Sequence, residues 1–435
     1  MYRLYTKFSM KTDHQIMLTS IPKFFSRSNK LLVGSTVQIS EFDKPVDIIT
    51  HSPDIETRFP FHLSAFLYEH PPNPEKAQVC HEKFRKNLHK FCGARVWTVR
   101  EILLKSSEQE LRQNLIDFSL IRFRLSNDIN SRDLKEKTQR EYIEYSLSKL
   151  SKNNLIDLIL LHPMISIDVV PIHQNLRFLY DKIPLFPLAN LVFCRDQQIT
   201  TAKGVVIGRF GAKQRKPENI LMSRVWPLLG VEPIGQIESP GTIEGGDFIP
   251  LSKDLCMLGT GLRTNFAAAK QLMEKDLIGT NRFIVVEDLV DCDQQRMHLD
   301  TYFNVVDEKL CVCLQDIARD NPRFLRNVRE FVRTDKGKYE EKTKEKIPFG
   351  QWLKKEGFTV VEATNKQQEE YFINLLHLGK DKNGNNKVFT INPDVENAIR
   401  KAGFKGDVFY QDFAQITAMY GGAHCATQVL RTPFK

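Results

Sequence analysis

The sequence predicts a mixed α/β fold, and two features of the chain indicate it. From residue 184 onward, short apolar segments with strand character alternate with glycine-containing turns and brief helical segments. Residues 100–161 contain neither glycine nor proline and are dense in leucine, isoleucine and charged residues, which is typical of helices. We therefore expect repeated α/β modules with a helical subdomain inserted at about residues 100–165.

The individual elements follow from apolar periodicity and from the residues that favour turns. Helical spacing over residues 75–91 begins after a proline-rich break, and a second helix is predicted near residues 366–376. Strands are predicted where short apolar runs meet turn residues, at 46–50, 94–99, 192–194, 205–207, 248–250, 255–258, 283–286, 310–313, 358–362 and 387–391.

Composition places the chain among soluble globular proteins. Of its 435 residues, 41% are hydrophobic and 26% are charged. The most apolar stretch, 155–170, is interrupted by two aspartates, a histidine and a proline, so we predict no membrane association. The eight cysteines are scattered without paired CxxC blocks, which argues against a structural zinc site and suits a reducing compartment.

The net charge of +9 is concentrated near the N-terminus. Residues 1–40 contain six basic residues and one acidic residue, a balance of +5 that leaves only +4 for the rest of the chain. No basic stripe with interleaved aromatic residues follows, so we expect no nucleic-acid partner. Residues 1–35 form a basic extension that resembles either an organelle transit segment or a disordered arm. We predict a cytoplasmic protein, with a mitochondrion or related organelle as the alternative.

The C-terminal segment 420–428 holds the first candidate for chemistry. Cys425 comes shortly after the glycine pair Gly421-Gly422, and glycine accepts backbone dihedrals that other residues resist. A cysteine whose histidine partner is distant in sequence, here His298, is a candidate nucleophile. The alternative is a buried structural thiol, which is the more common role of a free cysteine.

Four short polar clusters lie at the ends of predicted elements, in residues 190–196, 242–247, 261–264 and 297–301. Taken singly, acidic residues at such positions more often cap helices and turns. His298 and Asp300 share one face if their segment is extended. A metal site formed by Glu244, Asp247, His298 and Asp300 is an alternative, but no histidine pair at helical spacing supports it.

Taken together, these residue types suit a guanidinium substrate. Carboxylates bind a planar guanidinium through paired, charge-assisted hydrogen bonds. A thiolate is a strong nucleophile, and a cationic substrate or a protonated histidine nearby favours its formation. Such a site could hold a guanidinium rigidly while sulfur attacks the central carbon.

The order and spacing of the clusters resemble those of the arginine deiminase family from about residue 40 onward. The resemblance rests on the segment 190–196, the turn Glu244-Gly-Gly-Asp247, the segment His298-Leu-Asp300-Thr301 and the terminal Cys425. It implies a pentein fold, a five-bladed α/β propeller of pseudo-symmetric ββαβ modules with an inserted helical subdomain. It also implies a catalytic domain at residues 36–435 and a homo-oligomer, dimeric or higher.

The resemblance further implies the chemical role of each residue. Cys425 attacks the guanidinium carbon of L-arginine, and Asp196 and Asp300 grip the guanidinium nitrogens. Glu244 orients His298, which protonates the departing ammonia and then deprotonates the hydrolytic water. The product is citrulline, and the reaction requires no metal and no cofactor.

The far end of the substrate is expected to bind three further residues. Arg215 and Arg263 match positions that bind the substrate α-carboxylate, assisted by Asn190, which favours arginine over agmatine. Tyr420 departs from the family pattern, which places an arginine five residues before the nucleophile. The alternatives are a relative acting on agmatine, methylarginine or peptidyl-arginine, and a catalytically silent pentein-fold subunit.

Overall fold

A computed structural model of the protein describes residues 33–58, 66–117, 144–163, 166–173, 176–182, 185–335, 337–342 and 345–432. Most of the predicted extension 1–35 and the centre of the predicted helical subdomain lie outside these ranges. Among the described residues, no helix combines the length and the apolar character that a membrane span requires.

Five sheets repeat one pairing pattern, in which an antiparallel pair is followed by a parallel strand. They are β20–β1–β2 with β1 (Lys44–Thr50), β2 (Arg95–Thr98) and β20 (Gln428–Thr432); β5–β6–β7 (Gln198–Thr200, Val205–Ile207, Gly235–Gln236); β8–β9–β10 (Phe248–Pro250, Leu255–Thr260, Arg282–Asp288); β11–β12–β16 (Phe303–Asp307, Leu310–Leu314, Thr359–Ala363); and β17–β18–β19 (Leu376–Lys380, Asn386–Thr390, Val408–Tyr410). Strands β13 (Arg326–Arg333), β14 (Tyr339–Glu341) and β15 (Ile347–Pro348) extend the third of these sheets, while β3 (Ser166–His173) and β4 (Leu176–Lys182) form a separate hairpin.

Helices connect the second strand of each sheet to its parallel third strand. The helices with bounds in the described residues are α1 (Pro74–Cys92), α2 (Val99–Leu103), α3 (Glu108–Asp117), α4 (Lys152–Leu161), α5 (Lys216–Leu228), α6 (Phe266–Glu274), α7 (Leu299–Tyr302), α8 (Gln315–Ala318), α9 (Phe349–Lys355), α10 (Asn365–Glu369), α11 (Val395–Lys401) and α12 (Ala414–Thr417). The crossovers are α1, α5, α6 and α11, together with the longer connection that contains α8 and α9. A parallel pair needs such a crossover because a tight turn cannot join its strands.

Local sequence explains where the longest of these helices begins and ends. The Asn73 side chain caps the N-terminus of α1 by accepting a hydrogen bond from the Lys76 main-chain N–H, and Pro74 occupies the first turn. Gly93 ends the helix with a left-handed φ of 71°.

The two ends of the described chain meet in one sheet. The last strand, β20, pairs antiparallel with the first strand, β1, with Ile48 opposite Val429. Beneath this sheet, Cys425 lies in an apolar cluster with Phe193, Ala423 and Val429. The C-terminal segment is therefore packed into the core.

Most predicted strands are confirmed, but two predictions about elements near the site are wrong. Residues 192–194 lie in successive turns, and the Phe193 N–H donates to the Asn190 carbonyl. Their apolar run reflects burial on every side, which periodicity alone does not distinguish from a strand. The helix predicted at residues 366–376 ends at Glu369, because the chain turns at Tyr371 with a φ of 60°.

Candidate active site

Cys425 lies in a turn between α12 and β20, with only 6% of its surface exposed. Its Sγ atom accepts a hydrogen bond from Asn374 Nδ2 at 3.1 Å and lies 3.6 Å from Asp300 Oδ2. Burial, followed by the negative charges of Asp300 and Asp196, raises the pKa of the Cys425 thiol well above its usual value. In this surrounding the sulfur is a neutral thiol at physiological pH.

His298 lies at the N-cap position of α7, and its ring faces two carboxylates. Nε2 is 2.9 Å from Glu244 Oε2, and Nδ1 is 3.8 Å from Asp196 Oδ1. Burial disfavours the charged ring, but the charge of Asp196 and the hydrogen bond to Glu244 outweigh it and raise the pKa of His298 to about 10. His298 is therefore an imidazolium at neutral pH and has a proton to donate.

The sequence allows an extended segment around His298 and Asp300, but the structure shows a helical turn there. A helical turn begins at Leu299, whose main-chain N–H donates to Asp247 Oδ1 at 2.9 Å. Asp247 therefore fixes the start of α7 from the neighbouring glycine turn. Burial raises the pKa of Asp247 to about 7.

Asp196 ends the turn segment 190–196 and is almost completely buried. It accepts a hydrogen bond from Arg215 Nη1 at 2.8 Å and one from the Gly246 main-chain N–H at 3.3 Å. Burial raises the pKa of Asp196, but the positive charges of His298 and Arg215 outweigh it, so the net pKa is lowered. Asp196 is ionised in this setting.

Asp300 and Glu244 each leave one buried carboxylate oxygen without a partner. Asp300 Oδ2 lies 2.7 Å from His424 Nδ1, whereas Oδ1 accepts no hydrogen bond from any described residue. Glu244 Oε1 is in the same situation, although Arg263 Nη1 lies 3.9 Å away. An unmade hydrogen bond at a buried carboxylate costs about 1–3 kcal/mol or more, so both atoms favour a cationic donor.

The three residues predicted at the far end of the substrate lie close by. Arg215 is bound to Asp196 and also donates to Glu218 at 2.9 Å. Arg263 donates to Gln294 Oε1 at 2.8 Å and is 9% exposed. The side chain of Asn190 donates to the main-chain carbonyl of Phe66.

One cavity brings together six of the eight predicted site residues; the other two, Glu244 and Asp300, do not line it but contact His298 and Cys425. Its lining includes Cys425, His298, Asp196, Arg215, Arg263 and Tyr420, with Asn190 beside them. Its free space is about 20 Å³, which is enough for about one water molecule. Entry of a substrate as large as arginine therefore requires side chains at its wall to move.

Three of the predicted site residues, Asp196, Glu244 and His298, also have the spacing of a cation site. Potential ligand atoms of Asp196, Glu244 and His298 lie within 4.8 Å of one another. Arg215 Nη1 already places a positive charge 2.8 Å from Asp196 and 3.8 Å from Glu244. The same geometry therefore accepts a guanidinium, whose planar N–H groups match carboxylates.

The glycine pair before Cys425 provides space rather than unusual dihedrals. Neither Gly421 nor Gly422 has a positive φ; the left-handed residue is Tyr420, with a φ of 78°. A methyl group on Gly421 would overlap the ring of Phe193, and one on Gly422 would overlap Asn374 Oδ1. The prediction of backbone freedom at this pair is therefore wrong, and close packing is the reason for both glycines.

Comparison with known proteins gives a result that agrees with this geometry. The family model "Arginine deiminase" matches residues 64–431. The chain belongs to the arginine deiminase family. The resemblance recognised in the sequence is thereby confirmed.

Individual relatives agree with this family. The chain is 28% identical over 292 residues to arginine deiminase 1 of Staphylococcus epidermidis, spanning 63% of this chain and 68% of that protein. It is 27% identical over 284 residues to the arginine deiminase of Streptococcus agalactiae, spanning 62% and 67%.

Solved structures with a similar fold are more distant in sequence. The substrate-bound N-terminal domain of ArgZ, a cyanobacterial arginine dihydrolase, covers 89% of this chain and 99% of its own length with a TM-score of 0.50 and 12% identity. AgrE in complex with ornithine and NAD+ covers 90% of this chain and 40% of its own length, with a TM-score of 0.51 and 10% identity. The likeness confirms a mixed α/β fold of the pentein class.

Two residues at the site were not identified by sequence reasoning. Asn374 contacts the sulfur of Cys425 from a turn that carries no recognisable motif. His424 Nδ1 lies 2.7 Å from Asp300 Oδ2, although the sequence predicts no role for His424. Only the adjacency of His424 to the cysteine gave any sequence signal.

Proposed function

We propose that this protein is an arginine deiminase that hydrolyses L-arginine to L-citrulline and ammonia. The observation that carries the proposal is the shared cavity, which is lined by the buried Cys425, the imidazolium of His298 and the carboxylate of Asp196, while Glu244 and Asp300 contact the first two of these. Membership of the arginine deiminase family supports the choice of reaction. No step requires a metal ion or an organic cofactor.

The first half of the reaction makes a covalent intermediate. A bound guanidinium offsets the negative charges of Asp300 and Asp196, so the Cys425 thiol loses its proton to solvent and becomes a thiolate. The thiolate forms a C–S bond to the guanidinium carbon. As a C–N bond breaks, His298 donates its proton to the departing nitrogen, which leaves as ammonia.

The second half hydrolyses this amidino-enzyme. The neutral His298 takes a proton from water, and the resulting hydroxide attacks the same carbon. The C–S bond breaks, sulfur leaves as the thiolate, and the carbon gains the oxygen of citrulline after losing a proton. Glu244, 2.9 Å from Nε2, orients the ring through both half-reactions.

Arg215 is proposed to exchange partners when substrate arrives. In the structure its guanidinium is paired with Asp196, which is one of the two carboxylates assigned to the guanidinium of the substrate. When arginine enters, its guanidinium takes over Asp196 and the free oxygen of Asp300. Arg215 then turns with Arg263 toward the α-carboxylate.

Turnover of different guanidines tests this proposal. We expect citrulline formation from L-arginine with a kcat/KM at least about a hundredfold above that for agmatine, because agmatine leaves two buried cations without their carboxylate. Steady-state assays with arginine, agmatine, methylarginine and a peptidyl-arginine measure this ratio. Equal kcat/KM for agmatine would contradict the carboxylate-binding role of Arg215 and Arg263.

The alternative from another class is a catalytically silent pentein-fold subunit. Tyr420, in the position where the family has an arginine, favours this alternative. The simultaneous presence of Cys425, His298 and the buried carboxylates argues against it, because a scaffold gains nothing from buried charges. A folded protein that turns over none of the four guanidines would support the silent alternative.

At the scale of the fold, we propose a closed five-bladed propeller. Support comes from the five sheets, each with an antiparallel pair and a parallel third strand, and from the pairing of β20 with β1. Each sheet would then be one ββαβ blade. We retain the proposed domain boundary at residue 36 and the proposed helical subdomain at about residues 100–165.

Assembly and compartment also remain proposals. We propose a homo-oligomer, supported by the family resemblance and testable by light scattering of the purified protein. We propose a cytoplasmic location, supported by eight free cysteines, with a mitochondrion or related organelle as the alternative. Imaging a fluorescent fusion with and without residues 1–35 distinguishes the two compartments.

A further inference from the structure

Asn374 lies between α10 and β17, in a buried turn opposite Cys425. Its side chain is 2% exposed, and its main-chain N–H donates to the Tyr371 carbonyl at 3.3 Å. Tyr371 itself has a positive φ of 60°, which a non-glycine residue adopts only when its surroundings enforce it. The turn is therefore held in a fixed and locally strained conformation.

Three contacts determine how the Asn374 amide is oriented. Its Oδ1 accepts a hydrogen bond from the His424 main-chain N–H at 3.0 Å, and a main-chain N–H can only donate. The NH₂ group must therefore face the other way, where Nδ2 lies 3.1 Å from Cys425 Sγ and 3.3 Å from the Asp300 carbonyl. The main-chain N–H of His424 therefore determines that the Asn374 NH₂ group, and not its oxygen, faces the sulfur.

The glycine at position 422 leaves room for this amide. A methyl group on Gly422 would overlap Oδ1 and would displace the end of the Asn374 side chain. The same short segment therefore carries both the nucleophile and the space for its hydrogen-bond donor.

The two side chains within hydrogen-bond distance of the sulfur favour opposite protonation states. Asp300 Oδ2, 3.6 Å away, accepts from a thiol and repels a thiolate. Asn374 Nδ2 is a neutral donor, and a donor stabilises the anionic sulfur more than the neutral one.

We propose that Asn374 is a catalytic residue of the proposed reaction, donating a hydrogen bond to the Cys425 thiolate and holding the sulfur toward the guanidinium carbon. This role rests on the proposed function. The amide keeps its bond to sulfur when a substrate cation engages Asp300, and it receives the thiolate again when the C–S bond of the intermediate breaks.

Alkylation of Cys425 tests the role without requiring turnover. The rate of iodoacetamide addition to Cys425, followed by mass spectrometry over a pH series, reports the thiolate fraction. The donor stabilises the charged form of the sulfur, so Asn374→Ala should raise the apparent pKa of Cys425 by about one unit or more. It should also lower kcat for citrulline by about tenfold or more, with KM changed less than about twofold.

Two further variants separate chemistry from folding. Gly422→Ala keeps the amide but displaces it, and we expect its alkylation profile to shift in the same direction. Asn304→Ala is the matched control, because Asn304 is equally buried and donates to the Leu375 carbonyl next to Asn374 without reaching sulfur. We expect its alkylation profile and its kcat to match those of the wild type.

Each outcome decides the inference. Wild-type alkylation and kcat in folded Asn374→Ala would overturn it, as would an equal loss in Asn304→Ala, which would indicate a loosened segment. If Asn374→Ala does not fold, the alkylation profile of Gly422→Ala is the test: a shift toward higher pH supports the role of Asn374, and a wild-type profile overturns it. If wild-type protein makes no citrulline, the proposed function fails, while the alkylation comparison still decides whether Asn374 stabilises the thiolate.

Discussion

At the scale of single residues, the site depends on a balance of buried charges. Asp196 and Glu244 face an imidazolium at His298, whereas Cys425 stays neutral beside Asp300. Ionised groups in a low-dielectric interior persist only when they are paired. The arrangement therefore holds a proton on His298 and keeps Cys425 as a thiol.

The ionisation of His298 predicts a pH-dependent contribution to stability. Its pKa is raised from 6.5 to about 10 in the folded protein, so its contribution is fully present below about pH 6.5 and is lost as pH rises through about 10. The free energy of unfolding of the wild type relative to His298→Gln should therefore fall between about pH 6 and pH 10. Urea unfolding at a series of pH values measures this difference, and a constant difference would contradict the assignment.

At the scale of elements, the turn before β20 sets the position of Cys425, the proposed nucleophile. Gly421 packs against Phe193, and Gly422 packs against Asn374. These contacts join three segments that are far apart in the chain. The turn therefore depends on close packing rather than on flexibility.

Substitution of Gly421 tests the importance of this packing. A methyl group would overlap the buried ring of Phe193, so Gly421→Ala should destabilise the protein by about 1–3 kcal/mol and lower citrulline formation. Gly211→Ala is the control, because a methyl group there would lie no closer than 3.8 Å to the Thr242 side chain. Denaturant unfolding and citrulline assays measure the stability and the activity of both variants. Equal losses in the two variants would refute the packing argument.

Sequence patterns predicted the strands well where short runs of β-branched and aromatic residues are bounded by turn residues. The strands at 205–207 and 283–286 are confirmed by β6 and β10. The strand predicted at 192–194 is wrong because a short apolar run indicates burial on every side, and a turn packed inside the core shows the same run as a buried strand. The early end of α10 was missed because no glycine or proline marks it.

At the scale of the whole molecule, the two ends of the described chain hold each other. Strands β1 and β20 pair, and the buried Glu41 accepts a hydrogen bond from Arg431 Nη2 at 3.0 Å. Burial raises the pKa of Glu41, but Arg431 and Arg195 outweigh it, so the net pKa is lowered well below its usual value. His424 lies next to this ion pair, with its Nε2 atom 3.6 Å from Glu41 Oε1.

Removing one partner of that pair should be costly. Arg431→Met leaves the Glu41 charge buried, and we expect a loss of about 3–5 kcal/mol in the free energy of unfolding. The double variant Glu41→Gln with Arg431→Met should recover part of the loss, because it removes the buried Glu41 charge together with its closest partner and leaves only Arg195 without a carboxylate. Denaturant unfolding of both variants measures the difference, and additive losses would argue against a coupled pair.

The residue types of the site were predictable from sequence, but their contacts were not. Cys425, His298 and the carboxylates have chemistry that is visible in the chain, and the family motif relates their positions. Asn374 has no such signal, because an asparagine in a turn usually serves the local backbone. Its contact with Cys425 arises from packing between residues 51 positions apart.

The central claim is that Cys425 attacks the guanidinium carbon of arginine. Intact-protein mass spectrometry after rapid quenching with L-arginine tests it most directly, with Cys425→Ala as the comparison. We predict a covalent amidino adduct on the peptide that contains Cys425 in wild-type protein, and neither adduct nor citrulline in the variant. Citrulline formation by Cys425→Ala at the wild-type rate, or an absence of both adduct and citrulline in folded wild-type protein, would contradict the claim.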